Sequence, residues 1–116
     1  MLPNRIKLSK KATDKLRAMK AQTGLTPNIL ARIAIMLALK EEKDFTVNGV
    51  PDIDGQELNQ SVLFGDQIQV YDILIRQYID QWKIGHPIQG AISSLVDAGV
   101  HKIGHVKSLY DIANIK

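Results

Sequence analysis

The chain of 116 residues contains no cysteine. It therefore has no disulfide, no thiolate metal ligand, no nucleophilic thiol and no sulfur atom on which to carry a persulfide. Aromatic side chains make up only 5% of the sequence, which argues against the base-stacking platforms of many single-strand and RNA binders. Any nucleic-acid contact is then expected to fall on phosphates. Long apolar runs are missing as well. Residues 29–39 form the longest, interrupted by Arg32, and fall well short of the roughly twenty residues a membrane span requires. The amino-terminal MLPNRIKLSKK has no apolar signal core, so a soluble, cytoplasmic protein without membrane attachment is expected. Neither a phosphate-binding loop, nor a dinucleotide glycine pattern, nor a GxSxG elbow occurs.

Acidic residues are nearly absent from the first forty positions. Nine Lys/Arg (Arg5, Lys7, Lys10, Lys11, Lys15, Arg17, Lys20, Arg32, Lys40) stand there against Asp14 alone, a local net of +8. The remaining seventy-six residues carry six basic and eleven acidic side chains, a net of −5, so the overall +3 conceals a polarised molecule. Such polarity bears on partners rather than on fold, and a polyanion is the first partner to consider. At 45% hydrophobic residues the chain is too apolar for a disordered basic tail. A single domain over residues 1–116 is expected, with a basic segment 1–40 and an acidic helical segment 41–116.

Arg5-Ile6-Lys7-Leu8 alternates charged and apolar residues as a half-buried strand does. Ser9 is a fitting N-cap for a helix from about Lys10 to Thr23, along which Ala12, Leu16, Met19 and Thr23 recur on one face. Lys11 and Lys15 flank that stripe on one side, while Lys10, Arg17 and Lys20 occupy the far side. Gly24 suits a helix end, and Thr26-Pro27 an N-cap followed by a first helical proline. The next helix, Pro27 to about Glu42, is apolar nearly all round, which predicts burial on several sides by the domain or by another subunit. Beyond it, Asn48-Gly49 and Asp54-Gly55 mark turns, the first compatible with a short hairpin over residues 45–50. Helical periodicity resumes from about Asp66 to Lys83, and a shorter helix is expected from about Pro87 to Ala98, ended by Gly99. A last helix is expected over residues 106–113. The fold class is thus mainly α, a short strand and helix-turn-helix pair followed by two or three further helices.

The order of strand, helix, tight turn and apolar helix resembles a ribbon-helix-helix unit, in which strands from two subunits pair and the second helix start meets phosphate. Arg5 and Lys7 would be the outward strand residues, and Thr26, Pro27 and Asn28 that helix start. The competing reading is a helical hairpin with a merely solvated basic face. His101 and His105 are four apart as metal ligands often are, but Gly104 lies between them and a third ligand would have to come from Asp97 or Asp111. With Lys102 and Lys107 they read better as a small second basic patch or an ordinary surface turn. Asp52 to Glu57 begins like a calcium loop and then lacks its later ligands, so a plain Asp-Gly turn is the better reading. Ser93-Ser94 falls within a helix, and no nucleophile, base and orienting group assemble, so no catalytic residue, metal or cofactor is expected.

Three passages carry a wider resemblance: IKLSKKATDKLRAMKAQTGLTPNILARIAIMLAL, DGQELNQSVLFGDQIQVYDILI and GHVKSLYDIA. In order and spacing, over essentially the whole chain, they resemble the DndE family of bacterial DNA phosphorothioation (DNA sulfur modification) proteins. That resemblance implies a non-catalytic, homotetrameric subunit that binds duplex DNA, particularly nicked duplex, beside DndC-like and DndD-like subunits and a cysteine desulfurase. The absence of cysteine agrees, since activated sulfur must then be handled by partners. The residues implied to face DNA are Lys7, Lys10, Lys11, Lys15, Arg17 and Lys20, and the outward strand position adds Arg5 to the candidate DNA-binding residues. The alternative is a scaffold whose basic face docks acidic partner subunits.

Overall fold

A computed structural model describes residues 2–103. The expected last helix, His105, Lys107 and the GHVKSLYDIA passage lie outside the described residues. The elements run β1 (Arg5–Lys7), α1 (Lys10–Thr23), α2 (Pro27–Lys40), β2 (Glu57–Asn59), α3 (Gln60–Phe64), a single 3₁₀ turn (Gly65–Gln67), α4 (Ile68–Trp82) and α5 (Ile88–Ile103). The architecture is mainly α, as the periodicity predicts. The caps also fall where expected. The Ser9 hydroxyl accepts from the Ala12 amide, Gly24 adopts the left-handed conformation with φ 77°, and Thr26 caps α2 with Pro27 in its first turn.

Helix α2 is the centre of the core. Its buried Leu30, Ala31, Ala34, Ile35, Leu37 and Ala38 meet α5, whose Ile92, Leu95, Val96, Val100 and Ile103 are also buried, while α1 and α3 cover further sides. The fold itself therefore covers most of the helix expected to need burial. A stripe at Ile29 and Met36 stays 38% and 36% exposed. Helix α4 packs Tyr71, Ile75 and Tyr78 inward, with the Tyr71 and Phe64 rings 4.8 Å apart between centroids.

Three expectations are corrected. Gly99 does not end the fifth helix, which runs on to Ile103. A Cβ at Gly99 would collide with the backbone of Ala34, so the glycine permits a close crossing of α5 over α2 rather than a helix stop. Residues 45–50 form a turn, with Gly49 N donating to Thr46 O, and not a hairpin. The strand does not await another subunit: β1 pairs antiparallel with β2 of the same chain, Arg5 opposite Asn59 and Lys7 opposite Glu57. On its other edge the Gln89 side chain accepts from Lys7 N at 3.2 Å and donates to Lys7 O at 2.8 Å. Both edges of β1 are thus occupied at Lys7. β2 and the five-residue α3 went unforeseen because segments so short show no readable period.

Gly99→Ala is expected to lower stability by about 2 kcal/mol, because overpacking against a backbone outweighs the roughly 1 kcal/mol helix-propensity gain of alanine. Gly85→Ala, where a Cβ meets nothing within 4 Å, should change it by less than about 0.5 kcal/mol. Thermal or urea unfolding of the two variants checks the contrast.

Candidate nucleic-acid interface

The basic segment is mounted on β1 and α1, and the structure distributes its seven candidate residues in three groups. Arg5 and Lys7 project from the outer face of the ribbon, since Ile6 and Leu58 point into the core. Arg5 Nη1 lies 3.3 Å from Glu57 Oε2, a diagonal cross-strand ion pair with both side chains largely wet. Lys10, Arg17 and Lys20 line a shallow groove along one flank of α1 that ends at Pro27. Lys11 and Lys15 face the opposite flank, toward the carboxyl-terminal half of α5. Between the flanks runs the exposed crest of α1, with Asp14, Ala18 and Ala21.

Helix α1 is held rigidly in this orientation. Ser9, almost fully buried, donates its hydroxyl proton to Asp97 Oδ1 at 2.6 Å while accepting from Ala12 N at 2.9 Å, so one side chain both caps α1 and ties it to α5. Lys10 N donates to Asp52 Oδ2 at 3.0 Å, and Asp54 N donates to the same oxygen. The carboxylate of Asp52, two residues before the Asp54-Gly55 turn, is thus seated on the amino end of α1. These backbone donors, Lys10 N first and Asp54 N second, hold the Asp52 carboxyl below its ordinary pKa. The amino end of α1 already has its anion, which leaves the start of α2, at Thr26, Pro27 and Asn28, as the helix terminus beside the groove.

Carboxylates temper the positive field. Asp14 and Asp54 share the groove with Lys10, Arg17 and Lys20, and Arg17 Nη1 is 3.9 Å from Asp14 Oδ1. At that distance and exposure the pair contributes little to stability, and the guanidinium can turn to another anion. Arg32 is spent otherwise: Nε donates to Leu63 O at 2.6 Å and Nη2 to Val62 O at 3.3 Å, closing the carbonyl end of α3. Among the described residues no three His, Asp or Glu side chains gather as metal ligands, and no helix is long and apolar enough to cross a membrane.

With this geometry in place, comparison with known proteins is informative. The family model for the DNA sulphur modification protein DndE matches residues 5–111. The chain belongs to the DndE family. The crystal structure of DndE from Escherichia coli B7A, described as involved in DNA phosphorothioation modification, superposes with a TM-score of 0.77 at 27% identity, covering 89% of this chain and 98% of that one. A DndE mutant carrying two glycine-to-lysine replacements, also described as involved in DNA phosphorothioation, matches with a TM-score of 0.73 at 25% identity, over 89% and 99% of the two chains. No curated protein matches the sequence. Family membership extends across both the basic and the acidic segments, so the DndE fold includes the α1 surface and the α5 helix that braces it.

Asp52 gives a pH signature. Because its folded pKa is depressed, its contribution to stability is present above the unfolded carboxyl value and is lost as pH falls through the folded one. Acid unfolding is expected to show wild type losing its advantage over Asp52→Ala progressively below about pH 4. Equal pH dependence of the two proteins would contradict the cap.

Proposed function

We propose that this chain is a non-catalytic DNA-binding subunit of a bacterial DNA phosphorothioation complex, working in the cytoplasm and binding duplex or nicked duplex through its Lys/Arg surface. The observation that carries the reading is the rigidly braced α1, whose exposed crest is flanked by Lys10, Arg17 and Lys20 on one side and Lys11 and Lys15 on the other. Arg5 and Lys7 extend the charge onto the ribbon, and the positive end of the α2 dipole stands at the groove's end. A phosphate backbone laid along the crest meets cations from both flanks. Lysine supplies point charge rather than planar base recognition, so binding should be sensitive to salt and tolerant of sequence. Sulfur chemistry falls to partners, DndC-like and DndD-like subunits among them, because this chain has no thiol.

The same reading includes a homotetramer. Ile29 and Met36 on α2 are partly exposed, and Val62, whose carbonyl accepts from Arg32, is 54% exposed nearby on α3. These residues supply apolar surface for self-association without disturbing α1. Replacing Met36 and Val62 together by Glu is expected to convert the tetramer to smaller species in size-exclusion chromatography with light scattering. An unchanged mass would place the contact elsewhere.

If roughly six phosphates are neutralised, log K should fall with log salt at a slope of about −5, from about −0.9 per contact. Combined Lys10→Glu, Arg17→Glu and Lys20→Glu should weaken binding and flatten that slope to about −2 or −3. Fluorescence anisotropy with intact, nicked and single-stranded DNA across a salt series checks this. Unchanged affinity and slope, with binding to a partner subunit lost instead, would favour the adaptor reading.

A further inference from the structure

Between α1, α5 and the loop of residues 41–56 lies a cleft of about 690 Å³, within the size range of pockets that hold small organic ligands. Its chemistry differs from that of the open groove on the other flank of α1. Lys11 and Lys15, one helical turn apart, contribute two like charges on one wall, an arrangement that repels unless an anion sits between them. On the opposite side Asp97 and Glu41 present carboxylates, the latter held by Lys102 Nζ at 3.0 Å. Phe45 and neighbouring aliphatic groups supply flat apolar surface. On the α5 wall, Ser94 is only 3% exposed and its hydroxyl has no hydrogen-bond partner. A buried hydroxyl left unpaired is costly and unusual.

We propose that this cleft binds a mononucleotide, either free or as the phosphorylated terminal nucleotide of a strand. A compact phosphate satisfies the Lys11 and Lys15 pair, which a neutral ligand would leave repelling. Sugar hydroxyls or an exocyclic amine donate to Asp97 and Glu41. The base lies against Phe45, and Ser94 gains the partner it lacks. The cleft shares Lys11 and Lys15 with the proposed duplex-binding surface, but Ser94, Asp97 and Glu41 belong to the cleft alone, and Lys10, Arg17 and Lys20 lie on the other flank.

The test is a nitrogen-15 NMR titration of the full chain with adenosine monophosphate, in the absence of DNA. Saturable shifts at the Ser94 and Asp97 amides are expected, with adenosine alone and inorganic phosphate alone each binding at least about tenfold more weakly, a difference of about 1.4 kcal/mol. Ser94→Ala should weaken the nucleotide several-fold while leaving the melting temperature equal or higher, because the hydroxyl removed has no partner in the free protein. Lys15→Met should weaken it further, and the Lys10, Arg17 and Lys20 reversals should leave it unchanged while they weaken duplex binding. A terminally phosphorylated oligonucleotide that reproduces the shifts assigns the source to a strand end; one that does not assigns it to a free nucleotide. Absence of shifts at Ser94 with both ligands, or adenosine binding as tightly as its monophosphate, would overturn the proposal.

Discussion

The close crossing of α2 and α5 is the constraint on which the rest of the molecule depends. Gly99 lets the α5 backbone approach Ala34, and the small Ala31, Ala34 and Ala38 on α2 keep that approach tight along the interface. With α5 fixed against the core, Asp97 stands where the Ser9 hydroxyl reaches it, and Gln89 stands where it can close the free edge of β1. A buried apolar contact thus sets the position of a polar one, and the polar one orients the basic helix. Among the described residues little of the positive charge takes part in holding the fold together; Arg32, bound to the carbonyls of Val62 and Leu63, and Lys102, paired with Glu41, do so.

That separation resolves the electrostatic difficulty posed by a +8 segment. Like charges destabilise a compact state, and the chain answers by spreading them around α1 and by placing isolated carboxylates among them: Glu57 beside Arg5, Asp14 beside Arg17, Asp52 on the first amide of α1. The Arg5 and Arg17 pairs are exposed and weak, which suits a surface whose cations must be exchangeable for phosphates. The occupied amino end of α1 and the occupied edges of β1 steer the reading away from a ribbon inserted into a groove and toward contact along the helix crest.

Local signals in the sequence proved the most legible. Ser9, Gly24 and Thr26-Pro27 are positions where one side chain or one backbone conformation decides a helix boundary, and each stands where its chemistry requires. The two-flank division of the lysines also follows from helical spacing alone. The same glycine logic failed at Gly99, because a glycine serving a tertiary approach looks identical in sequence to one ending a helix. The pairing of β1 with β2 was hidden for a related reason: Arg5 and Asn59 lie far apart in the chain, and three-residue strands leave no period to read. The cleft beside Lys11 and Lys15 was invisible because Ser94, Asp97 and Glu41 join them only through the packing of α5 and α2.

The central claim, that DNA is met by the crest and flanks of α1, is tested most directly by mapping amide shifts while duplex DNA is added at low salt. Perturbations concentrated at Asp14, Ala18, Ala21 and the first turn of α2, with the outer face of α4 around Ile73 and Asp80 unchanged, are the predicted result. Perturbations centred on α4, or none along α1 at saturation, would contradict the account.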